Sequence, residues 1–87
     1  MYEILYDPDV EKQLDRLPDK VYERIDEAIL KLAENPRPHG STKLVQHKDI
    51  HRIRVGEYRV IYTVLDEDKV VIIAKVARRS KRTYRDI

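Results

Sequence analysis

Two runs of alternating apolar and polar residues, IHRIRV at 50–55 and YRVIYTVL at 58–65, meet at Gly56-Glu57. Period-two alternation on both sides of a two-residue turn with glycine first predicts a tight type II′ hairpin. If Val55 faces Tyr58, then Arg54 faces Arg59, Ile53 faces Val60 and Arg52 faces Ile61. The pleat then gathers Ile53, Val55, Tyr58 and Val60 on one side and Arg52, Arg54 and Arg59 on the other. Like charges directly opposite each other on a sheet are unfavourable. Three guanidinium groups on one face therefore favour an anion from outside the chain, and an RNA phosphate is the candidate. The plain alternative is three hydrated arginines, but Glu57, in the turn, is the one acid between Ile50 and Leu65.

The rest of the pattern supplies what packs behind this hairpin. Tyr2 to Tyr6 reads as a short strand with Tyr2, Ile4 and Tyr6 on one face. Asp7-Pro8-Asp9 predicts a helix start, with Asp7 as N-cap and proline in the first turn. Val10, Leu14 and Leu17 form one helical stripe, and after Pro18-Asp19 a longer helix carries Val21, Ile25, Ala28, Ile29 and Leu32. Asn35-Pro36 ends it, because the residue before proline is steered away from the α region. Residues 37–49 read as a loop. Asp66 to Lys69 is a polar turn, and the apolar run VVIIAKVA at 70–77 predicts a central strand buried on both faces. A three-residue connection would place Lys75 opposite Ile61 on the arginine side, which avoids burying an unpaired ammonium. The expected architecture is α+β: an N-terminal strand, then a helical hairpin packed on a mainly antiparallel twisted sheet (βααβββ), then a basic tail. All of it fits a single domain over 1–87.

Composition narrows the function. Residues 1–35 carry five Lys/Arg against ten Asp/Glu, whereas residues 36–87 carry thirteen against six. Such a split points to a polyanionic partner on the basic half. The chain has no cysteine, which removes disulfides, thiol nucleophiles and Cys-ligated zinc together. No apolar run reaches the roughly 18–20 residues of a membrane span, and MYEILYDPDV lacks the features of a signal peptide. A cytoplasmic protein with no membrane partner is expected.

Three segments then carry a family resemblance: ENPRPHGSTKL after the long helix, HRIRVGEYRVIYTVLDEDKVVII through the hairpin and next strand, and VARRSKRTY at the end. In this order and spacing, over essentially the whole chain, they resemble the RelE branch of the RelE/ParE toxin superfamily. The resemblance implies a toxin of a type II toxin–antitoxin system, an endoribonuclease that cuts mRNA in the ribosomal A site and is held inactive by a cognate antitoxin. Arg52 and Arg54 fall where the family has a basic pair, commonly lysine. Arg59 matches the arginine of its hairpin segment, and Arg79 and Tyr84 match the arginine and tyrosine of its C-terminal motif. Arg78 and Lys81 are alternatives for the tail arginine. Lys43, Lys48, Arg78, Lys81 and Arg82 are candidate RNA contacts around this set. No cofactor or metal is implied.

Metal-free RNA cleavage requires the 2′-OH to attack the adjacent phosphorus, with a base, charge stabilisation at the phosphoryl oxygens and an acid for the leaving 5′-oxygen. Arginine suits charge stabilisation, being planar, permanently charged and bidentate to phosphate, and is a poor acid for the same reason. Tyr84 is the candidate base, since neighbouring guanidinium groups favour the phenolate of a residue whose pKa is ordinarily about 10. Packing or base stacking is its alternative role. His51 lies on the opposite strand face from Arg52, and His39 and His47 lie in the loop. None joins the site, although a strained loop could bring His47 in. A basic site with weak proton-transfer groups is expected to need the ribosome to orient its substrate.

Two other functions compete. A ParE-like branch shares the fold and poisons DNA gyrase. A non-enzymatic basic module would act on operator DNA within an antitoxin complex, although no helix here presents a basic recognition face.

Overall fold

The computed structural model describes residues 1–44 and 49–78. Strand β1 (Glu3–Tyr6) leads into helices α1 (Pro8–Asp15) and α2 (Asp19–Glu34), and four strands follow: β2 (Thr42–Lys43), β3 (Ile50–Val55), β4 (Tyr58–Leu65) and β5 (Val70–Arg78). They form one sheet in the order β1-β5-β4-β3-β2. β1 runs parallel to β5 and the other neighbours are antiparallel. The α+β architecture is as expected, with β2 added inside the segment read as loop. That strand is only two residues long and takes its order from its partner β3, so it leaves no periodic signal.

The β3–β4 hairpin has the expected register, Val55 to Tyr58, Arg54 to Arg59, Ile53 to Val60 and Arg52 to Ile61. Gly56 sits at φ 61 while Glu57 stays out of the left-handed region, as a type II′ turn requires. Lys75 does face Ile61, but not because of the turn length. Near the turn the pairs are Leu65–Val70 through Tyr62–Ile73, and the register then shifts so that Ile61 meets Lys75. Ala74 is thus the extra residue of a β-bulge. The bulge moves the inward positions of β5 from Val71 and Ile73 to Val76.

Both helices pack on one face of this sheet. Val10 and Leu14 of α1 and Ile25, Ile29 and Leu32 of α2 meet Ile53, Val60, Tyr62, Val64, Val71, Ile73 and Val76 in a single core. The helix stripes are those read from the sequence, with Leu17, Val21 and Ala28 half-buried at the margin. β5 departs from expectation: Val70 and Ile72 are half-buried, since no described helix covers the second face. The side chain of Asp7 does not cap α1; instead its carbonyl accepts from the Val10 N–H at 2.9 Å and its own N–H donates to the Ile73 carbonyl. Beyond Ile73, β5 has lost β1 as a neighbour, and the Val76 N–H donates to Gln13 Oε1 at 2.8 Å. No helix among the described residues is long and apolar enough to cross a membrane.

The segment after α2 is fastened at two points. The buried Tyr62 hydroxyl donates to the Pro36 carbonyl at 2.7 Å. Arg37 forks onto Asp66 at 3.1 and 2.8 Å, and the Tyr2 hydroxyl donates to the same carboxylate at 2.7 Å. These bonds hold the Asp66 carboxyl at a pKa of about 2, with the Arg37 hydrogen bonds the largest cause. Because the folded value is depressed, this contribution to stability is complete above the ordinary carboxylate range. It is lost as pH falls through about 2. In Asp66→Asn the fall of thermal midpoint between about pH 4 and pH 2 should be shallower than in wild type. Identical acid limbs in melts across that range would contradict this.

Candidate nucleic-acid interface

The helix-free face of the sheet carries the cations. Arg54 faces Arg59 across the β3–β4 ladder, Arg59 faces Ala77 of β5, and the next row runs Thr42, Arg52, Ile61, Lys75. Arg52, Arg54 and Arg59 are therefore brought together as expected, with Lys75 as a fourth cation. Lys75 is not among the residues the family resemblance points to, although the register expected from the sequence puts it on this side.

The three arginines differ in exposure. β2 ends level with Arg52, so Arg54 has no strand beyond it and is exposed, whereas Arg52 is flanked by Thr42 and half-buried. Arg59 is on the central strand between β3 and β5, and only 1% of it is exposed. This corrects the expectation of three open guanidinium groups. Arg59 lies directly across from Arg54 and one row from Arg52 and Lys75, out of contact with solvent.

Two candidate contacts lie elsewhere. Lys43 pairs with His51 and so projects from the helix side of the sheet. Arg78 pairs with Tyr58, also on the helix side, and its Nη2 is 2.9 Å from Glu57 Oε2 in an exposed ion pair. Neither shares the face of Arg54. Lys48, Arg79, Lys81, Arg82 and Tyr84, like His47, lie outside the described residues. His51 is buried and stacked on Tyr62, with ring centroids 5.7 Å apart and an interplanar angle of 23°. Burial first, then Arg37 and Lys43, lower its pKa, so it is a neutral imidazole at neutral pH and is turned away from the arginines.

Residues 4–83 match the family model described as the ParE toxin of the type II toxin–antitoxin system parDE. The RelE1 protein of Methanocaldococcus jannaschii is 36% identical over 71 residues, 78% of this chain and 79% of that one. This chain belongs to the RelE/ParE family of type II toxins. Within that family it is of the RelE type. It matches the toxin in the crystal structure of the archaeal RelE–RelB complex from Pyrococcus horikoshii at a TM-score of 0.83 and 35% identity, covering 92% of this chain and 97% of that one. It matches the isolated Escherichia coli RelE toxin at 0.81 and 27%, covering 99% and 95%. The sheet thus places Arg52, Arg54, Arg59 and Lys75 on one face, with the helices packed on the other.

Proposed function

We propose that this RelE-type toxin is an endoribonuclease that cleaves mRNA in the ribosomal A site without a metal. The observation that carries the reading is the convergence of Arg52, Arg54, Arg59 and Lys75 on the helix-free face of the sheet. In the proposed step the 2′-oxygen attacks phosphorus, the P–O5′ bond breaks, the leaving 5′-oxygen takes a proton from water, and a 2′,3′-cyclic phosphate and a 5′-hydroxyl result. Arg54 and Arg52 hold the phosphoryl oxygens, and Arg59 adds its charge from below. Arg79 completes the cationic set from the tail, and Tyr84 takes the 2′-OH proton. Lys48, Lys81 and Arg82 track flanking phosphates, with Arg78 at the rim. A site whose cations are mostly guanidinium has little capacity to protonate the 5′-oxygen, so ribosomal placement of the mRNA supplies much of the rate through orientation. A cognate antitoxin restrains the activity, supported by the RelE–RelB pairing in the P. horikoshii complex. Operator DNA is reached only through that complex, and the toxin works in the cytoplasm.

Cleavage on programmed ribosomes with an open A site tests the reading. Wild type should give a discrete A-site cut. Arg54→Ala, an exposed position, should slow it at least tenfold with folding intact, and Tyr84→Phe should slow it by about two orders of magnitude, the usual reach of general-base catalysis. A cut that survives Tyr84→Phe would move the base elsewhere. The match to a ParE model gives gyrase inhibition as the second reading. Folded protein that cuts nothing but traps gyrase–DNA complexes would establish it instead.

A further inference from the structure

On the other side of the β2–β3 edge, a cleft of about 500 Å³ is lined by Arg37, Ser41, Lys43, Asp49 and His51. We propose that it binds a ribonucleotide unit, taking the phosphate on Lys43 and Arg37, beside the His51 ring, and the ribose 2′-hydroxyl on Asp49. The proposal rests on the reading of this toxin as an RNA-acting protein and adds a second contact region on the reverse face of the sheet.

The cleft is built from fastened parts. The Arg37 fork onto Asp66 leaves its Nε–H and one N–H on each terminal nitrogen available, and its backbone N–H donates to Asn35 Oδ1 at 3.1 Å. Lys43 is held in β2 opposite His51 and, among the described residues, takes part in no ion pair. The Asp49 carbonyl accepts from the Val64 N–H at 3.0 Å, which sets that residue at the mouth of β3. His51 is 95% buried, since only 5% is exposed, and among the described residues its Nε2 has no hydrogen-bond partner. A buried ring nitrogen without a partner is costly unless a ligand or water completes it. The Lys43 ammonium and the remaining N–H groups of the Asp66-paired Arg37 are donors for an anion. A carboxylate beside them disfavours a bare anion and favours one that also donates a hydrogen bond, which a ribose 2′-hydroxyl does and a deoxyribose does not.

The position fits a strand that also meets the arginine face. Thr42 pairs with Arg52 and Lys43 with His51, so consecutive residues of β2 point to opposite faces at the sheet edge. A polyanion passing around this edge meets Arg52 and Arg54 on one side and Lys43 and Arg37 on the other. Contact with Lys43 would thus set the register of the chain without touching the bond to be cut.

The imidazole of His51 reports occupancy directly. It is faced by Arg37, Lys43, Asp49, Asp66 and Tyr62, and phosphate beside it should raise its titration midpoint. Ring resonances of the full-length toxin would be followed by NMR with a non-cleavable 2′-O-methyl-interrupted oligoribonucleotide, the matching oligodeoxyribonucleotide, and AMP. The ribonucleotide strand should shift His51 and raise its midpoint, Lys43→Ala should weaken that binding about tenfold, and the deoxy strand should bind several-fold more weakly. A response to AMP equal to that of the strand would support the site and make a free nucleotide its ligand. Equal response to deoxy and ribo strands would overturn the ribose assignment. Shifts at Arg52 and Arg54 without any at His51 would overturn the cleft and leave the ribonuclease reading standing. Loss of A-site cleavage by wild type, measured in parallel, would instead remove the reading on which it rests.

Discussion

Arg59→Ala should lose A-site cleavage by about two to three orders of magnitude, the usual cost of removing one preorganised donor from a site that stabilises developing negative charge. The position explains the size. Arg59 sits on the central strand, directly across from Arg54 and one row from Arg52 and Lys75, and is shielded from water. A charge in a water-poor setting acts on a nearby phosphate far more strongly than one in solvent. Burial also means that alanine removes packed volume, so the variant must be shown to fold by circular dichroism and a cooperative melt. Arg59→Lys provides the second arm: it keeps the charge and much of the stem but loses the planar fork, and it should retain more activity than alanine while falling below wild type. A folded Arg59→Ala toxin that cuts at the wild-type rate would make Arg59 a structural residue only and leave Arg54, Arg52 and Lys75 to hold the phosphate.

Ile29→Ala should destabilise the fold by about 2–5 kcal/mol, the range for truncating a fully buried branched aliphatic side chain. Ile29 is wholly buried on α2, within the core formed with the sheet. Deleting its outer carbons removes apolar burial and leaves a cavity that the rigid sheet cannot fill. For a domain whose total stability is of order 5–15 kcal/mol, that is a large share, and a chain of this size should melt about 4–8 °C lower for each kcal/mol. Leu30, the next residue, is 56% exposed, and Leu30→Ala should stay within about 0.5 kcal/mol of wild type. Urea unfolding of the pair decides the matter. Equal effects would mean that α2 does not present the Ile25–Ile29–Leu32 stripe to the core.

The local rules were legible because they act over a few residues. Period-two alternation around Gly56 determined the hairpin register and the separation of Arg52, Arg54 and Arg59 from Ile53, Val55, Tyr58 and Val60. Helical spacing with Pro8, Pro18 and Pro36 determined both helices and their buried stripes. What depended on neighbours distant in sequence was settled only by the assembled sheet. Arg59, on the central strand, is buried, whereas Arg54, past the end of β2, is exposed. The bulge at Ala74 sets Lys75 beside Ile61 although the turn alone does not. Pairing with His51 turns Lys43 to the helix side, and Glu57 draws Arg78 into an ion pair. Alternation along one strand tells which residues share a face; how far each is covered is a property of the assembled tertiary structure.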